Sequence, residues 1–552
     1  MASLQLSLGA LEHHVRAAAP DAEQAAARLK QRDASLWSRA ADVQAKIANR
    51  LGWLDSPQLM AASSTRLKRF AGTVKDTSTD VVLLGMGGSS LAPEVLHRIV
   101  GIAPGFPRFH MLDSTDPAAV RATATPPKTT LYILASKSGG TIEPNSLAAH
   151  FRATLEASGV VNWADHFIAI TDDGTDLAKR ARNDRFLELF VNPSDIGGRY
   201  SALSFFGMVP AALMGQDIDK LIAGGVAMLG DALSTSAAVN NPAVALGLAM
   251  AVGARKGRDK LTLLLPEQFE SFGLWVEQLV AESTGKNRTG IVPIAGEPAG
   301  AASVYGDDRL FVDLRGKPAT LRPSIEYGWT DPLQLGAEFV RWEIATAVAG
   351  ALLNINPFDE PNVQQAKDAT NTLLASFKAD GALPSTPPDA TLAGGVELRA
   401  SHGAKRMLGA AEPSKLLAMT KPGDYFAQLA YVSPSSPLLA ELERLRLAVR
   451  DQLRVATTLG VGPRYLHSTG QLHKGGPNTG VFLLITTGSA EDVDIPGQPY
   501  TFATLERAQA LGDFSSLDAA GRRALHVHLP SADPALARRM IDALMRTFVV
   551  VE

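Results

Sequence analysis

The chain has 552 residues, more than one hydrophobic core sustains, so two or three domains are expected. Its 46% hydrophobic and 20% charged content is that of a globular protein, and a net charge of −3 gives no electrostatic basis for binding nucleic acid or anionic lipid. The absence of cysteine excludes a disulfide framework, a thiolate nucleophile and Cys-ligated zinc.

Residues 1–5 lack the basic segment and apolar core of a secretory signal, which predicts a cytoplasmic location. Up to about residue 75 the chain is rich in Ala, Arg and Gln at helical spacing and reads as an N-terminal helical arm. From Thr79 the pattern changes to short apolar runs followed by glycine turns and helices, with strands predicted at 81–84, 131–134, 167–170 and 187–191. A second set follows at 261–265, 291–294 and 310–312. Alternating units of this kind predict an α/β fold with parallel sheets flanked by helices. The longest apolar stretch, 242–254, is too short to cross a bilayer and predicts a core helix. The proline-rich stretch after Ala379 reads as a linker or crossing segment. Beyond it come a charged helix near 438–455, a glycine-rich loop over 460–480 and a strand near 481–485. Expected boundaries are 1–75, 76–230, 231–379 and a C-terminal α/β region, 380–552.

The chemistry concentrates in a few turns. Ala135-Ser136-Lys137-Ser138-Gly139-Gly140-Thr141 follows an apolar strand and opens a helix. Bare glycines let backbone N–H groups approach an anion, and Ser136, Ser138 and Thr141 supply hydroxyl donors. Lacking the Lys-Ser/Thr ending of a nucleoside triphosphate loop, this turn suits a small monophosphate; its alternative is an ordinary capped turn. The first strand ends in Gly85-Met86-Gly87-Gly88-Ser89-Ser90, whose spacing departs from the dinucleotide fingerprint, so no nicotinamide cofactor is expected. Arg199, after Gly197-Gly198, suits an enediolate or phosphate oxygen, or else a structural ion pair. Gln278 and Glu282 stand four apart on a predicted helix and share one face; Glu282 is a candidate general base, or else a solvated helix glutamate.

Five segments occur in the order and spacing that resemble the glucose-6-phosphate isomerase family: 85–89, 136–141, 197–201, 278–286 and Asn356-Pro357-Phe358-Asp359-Glu360-Pro361-Asn362-Val363-Gln364-Gln365-Ala366-Lys367. The resemblance covers roughly residues 75–370 and implies two sugar isomerase domains, no metal or other cofactor, a sugar phosphate substrate and a homodimer. It implies that Gly88 and Ser89 line the sugar site, that Ser136, Lys137, Ser138 and Thr141 hold the phosphate, and that Arg199 steadies the enediolate. It further makes Glu282 the base, places Gln278 at the sugar hydroxyls, and sets Lys367 near the ring oxygen to assist ring opening.

Two departures stand out. The family's ring-opening histidine follows the glutamate segment in a Gly-Glu-Pro-rich stretch, whereas Gly296-Glu297-Pro298-Ala299-Gly300 is followed by none, and no histidine lies between His166 and His402. The best supply is the late loop Tyr465-Leu466-His467-Ser468-Thr469-Gly470-Gln471-Leu472-His473, with His467 the first candidate acid and His473 the second. Glu360 occupies a position where the family usually has glutamine. The late loop and residues 380–552 look like the isomerase portion of bifunctional transaldolase/glucose-6-phosphate isomerases. The first 75 residues are too few for a transaldolase barrel, which needs about 200, so isomerase activity alone is expected. His526 and His528 alternate on one strand and read as a strand surface, and His13-His14 as solvated residues of the arm. The expected activity is interconversion of glucose 6-phosphate and fructose 6-phosphate. The alternatives are another phosphosugar isomerase, including one that also takes mannose 6-phosphate, or a non-catalytic sugar-phosphate-binding regulator.

Overall fold

The computed structural model describes residues 4–234, 236–316, 320–408, 412–489 and 491–546, so the first three residues of the N-terminal segment read above lie outside it. The chain divides into two compact units. Unit 1 comprises Met1–Asp113, Thr123–Thr284 and Leu310–Asp359; unit 2 comprises Ser114–Ala122, Gly285–Arg309 and Glu360–Glu552. No helix among the described residues is long and apolar enough to cross a membrane, and the 242–254 stretch forms the buried helix Val244–Arg255.

Unit 1 contains a five-stranded, wholly parallel sheet in the order Arg108–Leu112, Asp80–Leu84, Thr130–Ala135, Phe167–Asp172, Glu188–Asn192. The three central strands are buried along their whole length, which is why they read as continuous apolar runs. Arg108–Leu112 was not anticipated, because an edge strand with Arg108 and His110 has no such run. Those two side chains instead bind Asp80, at 2.9 and 2.8 Å from Arg108 and 2.7 Å from His110. Burial would raise the Asp80 carboxyl, but these bonds hold it at about 2. Because the first strand lies between the second and third, the chain reverses its direction of sheet growth at Asp80–Leu84 and Thr130–Ala135. A crevice opens at the carboxyl ends of such a pair, and both glycine-rich turns leave from there.

A further sheet in unit 1 carries Gln5–Ser7, Ser324–Glu326, the strand Arg309–Asp313 from Leu310 onward, and Lys260–Leu264 in that order. The N-terminal segment is largely helical, as expected, but it is not a free arm. Gln5–Ser7 pairs antiparallel with Ser324–Glu326, and the Gly52 N–H donates to Asp195 O at 3.0 Å.

Unit 2 repeats the topology of the first sheet. Its parallel strands lie in the order Ala456–Gly462, Tyr425–Tyr431, Gly480–Thr487, Arg523–Leu529, extended by the antiparallel Val396–Ala400 and Ala390–Leu392. The helix Leu438–Leu453 forms as its charge pattern indicates, whereas the expected loop over 460–480 is mostly a strand end, a 3-10 turn and the helix Gly470–Gly475. His526 and His528 do share a face, but it is not a surface. His526 is fully buried beside Phe514, and both histidines bond Thr486 Oγ1, at 2.9 and 3.0 Å.

The segment 296–300 anchors unit 2. Arg309 binds both Glu297 carboxylate oxygens, at 3.0 and 3.2 Å, and Thr457 donates to the same carboxylate through Oγ1 at 2.7 Å and N at 3.2 Å. Arg446 donates to Ala295 O and Gly296 O at 2.6 and 2.9 Å. Burial favours the neutral Glu297 carboxyl, but Arg309 and these hydrogen bonds bring its pKa below the ordinary value. Glu297 therefore contributes stability above its unfolded pKa, about 4.3, and that contribution disappears as pH falls through the lowered folded value. Replacing it by Ala leaves Arg309 buried and uncompensated, at an expected cost of about 3–5 kcal/mol in urea denaturation at pH 7. In Glu297→Gln the stability gap to the unaltered protein should narrow when denaturation is repeated below pH 4.

Candidate active site

The helix Phe272–Thr284 is buried along nearly its whole length, which places Gln278 and Glu282 in the interior of unit 1 at 3% and 8% exposure. One turn apart, they touch: Gln278 Nε2 donates to Glu282 Oε2 at 3.2 Å. The turn Gly198–Tyr200 brings Arg199 to the same place, with Nη1 3.4 Å from Glu282 Oε1. Arg199 is itself only 4% exposed and is held from several sides. Its Nε donates to Ser283 Oγ at 2.9 Å, and its Nη2 donates to Pro357 O and Asp359 O at 2.7 and 2.9 Å. The guanidinium thus ties the Glu282 helix to the 357–359 segment through donors whose planar fork a lysine does not reproduce.

Behind the guanidinium stands a support that sequence reasoning missed. Tyr200 packs between Trp53 and Phe358, with ring centroids 5.2 Å away on each side, and Trp37 meets Phe358 edge-on at 4.9 Å. Two tryptophans of the N-terminal segment therefore brace the turn that carries Arg199. Isolated aromatics in a helical stretch look like ordinary core residues, so the only signal was their presence there.

The 135–141 turn leaves the strand Thr130–Ala135 and opens the helix Ile142–Ala157, as predicted. Gly139 adopts φ +72°, a left-handed conformation that favours glycine. Its N–H donates to Ser136 Oγ at 3.1 Å, and Ser136 Oγ and Thr141 Oγ1 lie 2.9 Å apart. Ser138 is exposed and Thr141 half-buried, so the turn presents hydroxyls outward. Lys137 bonds the Asp172 carboxylate and donates to Ser194 O at 2.9 Å. Burial raises the Asp172 pKa, partly offset by that lysine.

Gly88 lies directly against the Arg199 turn. A Cβ there would sit 2.0 Å from Gly198 O, and Ser201 Oγ donates to both Gly88 O, at 3.3 Å, and Gly198 O, at 2.6 Å. Ser89 beside it is buried at 8% exposure.

The remaining candidates belong to unit 2. Glu360 is exposed at the start of the helix Pro361–Asp380, which carries an exposed Lys367. Half-buried His467 ends the 3-10 turn Arg464–His467. His473, at 2% exposure, lies in the interior among Tyr425, Tyr465 and Phe482, where burial and then Lys474 depress its protonation well below the usual histidine range. Gln471, fully buried, fastens these pieces together. It accepts from Asn362 N at 2.8 Å and donates to Asn362 Oδ1 at 2.8 Å and to Gly285 O at 3.0 Å.

A family model described as phosphoglucose isomerase matches residues 26–306. The chain belongs to the phosphoglucose isomerase family. Among its relatives, the glucose-6-phosphate isomerase of Parasynechococcus marenigrum (strain WH8102) is 30% identical over 393 residues, covering 58% of this chain and 71% of that protein. The enzyme of the same name from Synechococcus sp. (strain CC9902) is 30% identical over 398 residues, covering 58% and 73%. The crystal structure of a glucose-6-phosphate isomerase from Chlamydia trachomatis D/UW-3/Cx aligns with a TM-score of 0.49 and 20% identity, over 63% of this chain and 78% of that one. The phosphoglucose isomerase match includes Gly88, Ser136, Arg199, Gln278 and Glu282 and stops short of Glu360, Lys367, His467 and His473.

Gly88→Ala should cost about 1–3 kcal/mol by forcing the two turns apart. Because that displacement moves Arg199, steady-state kinetics should show a fall in kcat larger than the change in KM.

Proposed function

We propose that this protein is a glucose-6-phosphate isomerase, interconverting glucose 6-phosphate and fructose 6-phosphate. The observation that carries the reading is a buried glutamate held between an arginine and a glutamine, 3.4 and 3.2 Å away, within a phosphoglucose isomerase family match. Moving a proton between C2 and C1 of an open-chain aldose calls for one carboxylate on one face of a cis-enediol. Glu282 takes the proton from C2 to leave a cis-enediolate with its negative charge on O1, the O2 hydroxyl proton passes to O1, and the same carboxylate returns its proton to C1 as the C2 carbonyl forms. Arg199 fixes the orientation of that carboxylate and sets a permanent positive charge beside it. Gln278 limits its rotation from the other side. The hydroxyls of Ser136, Ser138 and Thr141 bind the 6-phosphate, with Gly88 and Ser89 lining the sugar.

Ring opening requires a separate proton donor, and we assign it to His467, with Lys367 assisting at the ring oxygen and Glu360 at a sugar hydroxyl. The resemblance places the family's histidine after the Gly-Glu-Pro stretch, and no histidine lies between His166 and His402 here. His467 is preferred over His473 because His473 is enclosed by aromatic rings that disfavour its charged form. The link from Gln471 to Asn362 supports a common role for the His467 loop and the Lys367 helix. A cytoplasmic location and a homodimeric assembly complete the reading.

The test is conversion of fructose 6-phosphate to glucose 6-phosphate in the presence of a chelator. Glu282→Gln should lower kcat by about 10²–10⁴-fold with sugar phosphate still bound. His467→Ala should slow turnover of the cyclic sugar more than that of the open-chain form. A folded, unaltered protein that binds sugar phosphate without turnover would overturn the reading in favour of a regulator.

A further inference from the structure

Unit 2 encloses a cavity of about 500 Å³ that none of the isomerase motifs reaches. It opens where the strands Tyr425–Tyr431, Gly480–Thr487 and Arg523–Leu529 end, lined by Ser433, Thr486, Ser489, Glu506 and Arg507 among others. Tyr425–Tyr431 is the first parallel strand of this sheet and Gly480–Thr487 the third, and they are neighbours. The cavity therefore occupies the point at which the sheet reverses its direction of growth, the same topological position that the glycine-rich turns occupy in unit 1. Crevices at that position are where open α/β sheets bind ligands, and the volume is that of a small-molecule pocket.

Two ionisable side chains on the cavity wall lack close partners of the kind their chemistry favours. Arg507 Nη1 donates to Thr486 Oγ1 and, at 2.9 Å, to His528 Nδ1. Both acceptors are neutral: burial holds the His528 pKa down to about 4. No carboxylate lies within ion-pair distance of Arg507 among the described residues; burial, and then Arg399, lower its pKa to about 10, while Glu397, paired with Arg399, acts in the opposite sense. The adjacent Glu506 has a buried Oε1 without a hydrogen-bond partner among the described residues. Burial, with Asp116 and Asp492 nearby, raises its carboxyl well above the usual range. Asp116 does not relieve it, since its Oδ1 accepts from Ala118 N and Ala119 N at 2.8 and 3.0 Å. A cation with no carboxylate in ion-pair contact and a carboxyl oxygen without a hydrogen-bond partner, side by side on a cavity wall, are both satisfied by one molecule carrying an anionic group and hydroxyls.

We propose that unit 2 holds a second ligand site for a small phosphorylated polyol, with the Arg507 guanidinium binding the phosphate and Glu506 and Ser433 binding hydroxyls. The forked donors of arginine match phosphate geometry. Sugar phosphates and nucleotides share this chemistry.

The full-length protein would be titrated calorimetrically with a hexose 6-phosphate, a pentose 5-phosphate, a nucleoside 5′-monophosphate and inorganic phosphate. Arg507→Met should remove one site per chain for at least one of the three polyol phosphates, and Glu506→Gln should weaken that site at least tenfold. Isomerase kcat/KM should stay within twofold in both variants. Which polyol phosphate loses the site identifies the source. In the unaltered protein the same ligand should slow amide exchange in segments 432–436 and 486–489, a readout that depends neither on the folding of a variant nor on isomerase activity. Absence of that protection with every probe overturns the proposal. Inorganic phosphate binding as tightly as the polyol phosphates overturns its hydroxyl half.

Discussion

The Arg199 guanidinium is the interaction on which the site depends. Buried to 4% exposure, it meets Ser283 and Glu282 on one helix and the Pro357 and Asp359 carbonyls on a segment some 160 residues away in sequence. A buried charge is tolerated only with partners on several sides, so the fold must bring all of these together or leave a costly cation in its interior. That requirement explains the features around it. Gly88 is bare because Gly198 O stands where its Cβ would be, and Tyr200 is clamped between Trp53 and Phe358. The N-terminal segment crosses behind the turn with a backbone bond from Gly52 to Asp195. The position of the Glu282 carboxylate rests on a scaffold drawn from distant parts of the chain.

Unit 2 solves a related problem with different residues. Its own buried arginine, Arg309, is matched by Glu297. The parallel sheet of unit 2 has the strand order of the first sheet of unit 1, and both leave their crevice at the corresponding strand ends. One crevice is rimmed by the Ser136–Thr141 hydroxyls; the other holds Arg507 beside Glu506. The same topological opportunity has thus been filled with two different sets of polar groups.

Much of unit 1 was legible in advance. Central parallel strands are apolar on both faces, so 81–84, 131–134 and 167–170 could be read within a residue or two of their ends. The Gln278–Glu282 contact follows from helical spacing alone. Reading failed where a strand is an edge, as at Arg108–Leu112, and where burial comes from other elements. His526 and His528 alternate like a surface strand, yet one of them is fully enclosed. His467 and His473 look equivalent in a glycine-rich loop, and only packing separates a half-buried imidazole from one boxed in by Tyr425, Tyr465 and Phe482.

By itself the sequence determined the alternating α/β architecture, the glycine-rich turn at 135–141 and the family, and it singled out the candidate base, because these depend on local periodicity, glycine placement and short motifs. The tertiary structure alone decided that Arg199 meets Glu282, that two tryptophans of the N-terminal segment brace them, that Glu297 is an anchor, and that Arg507 and Glu506 face one cavity. Each of these joins residues far apart in the chain. Whether a charge is paired, buried or left facing a cavity is a property of the neighbours that folding supplies, and no local pattern encodes them.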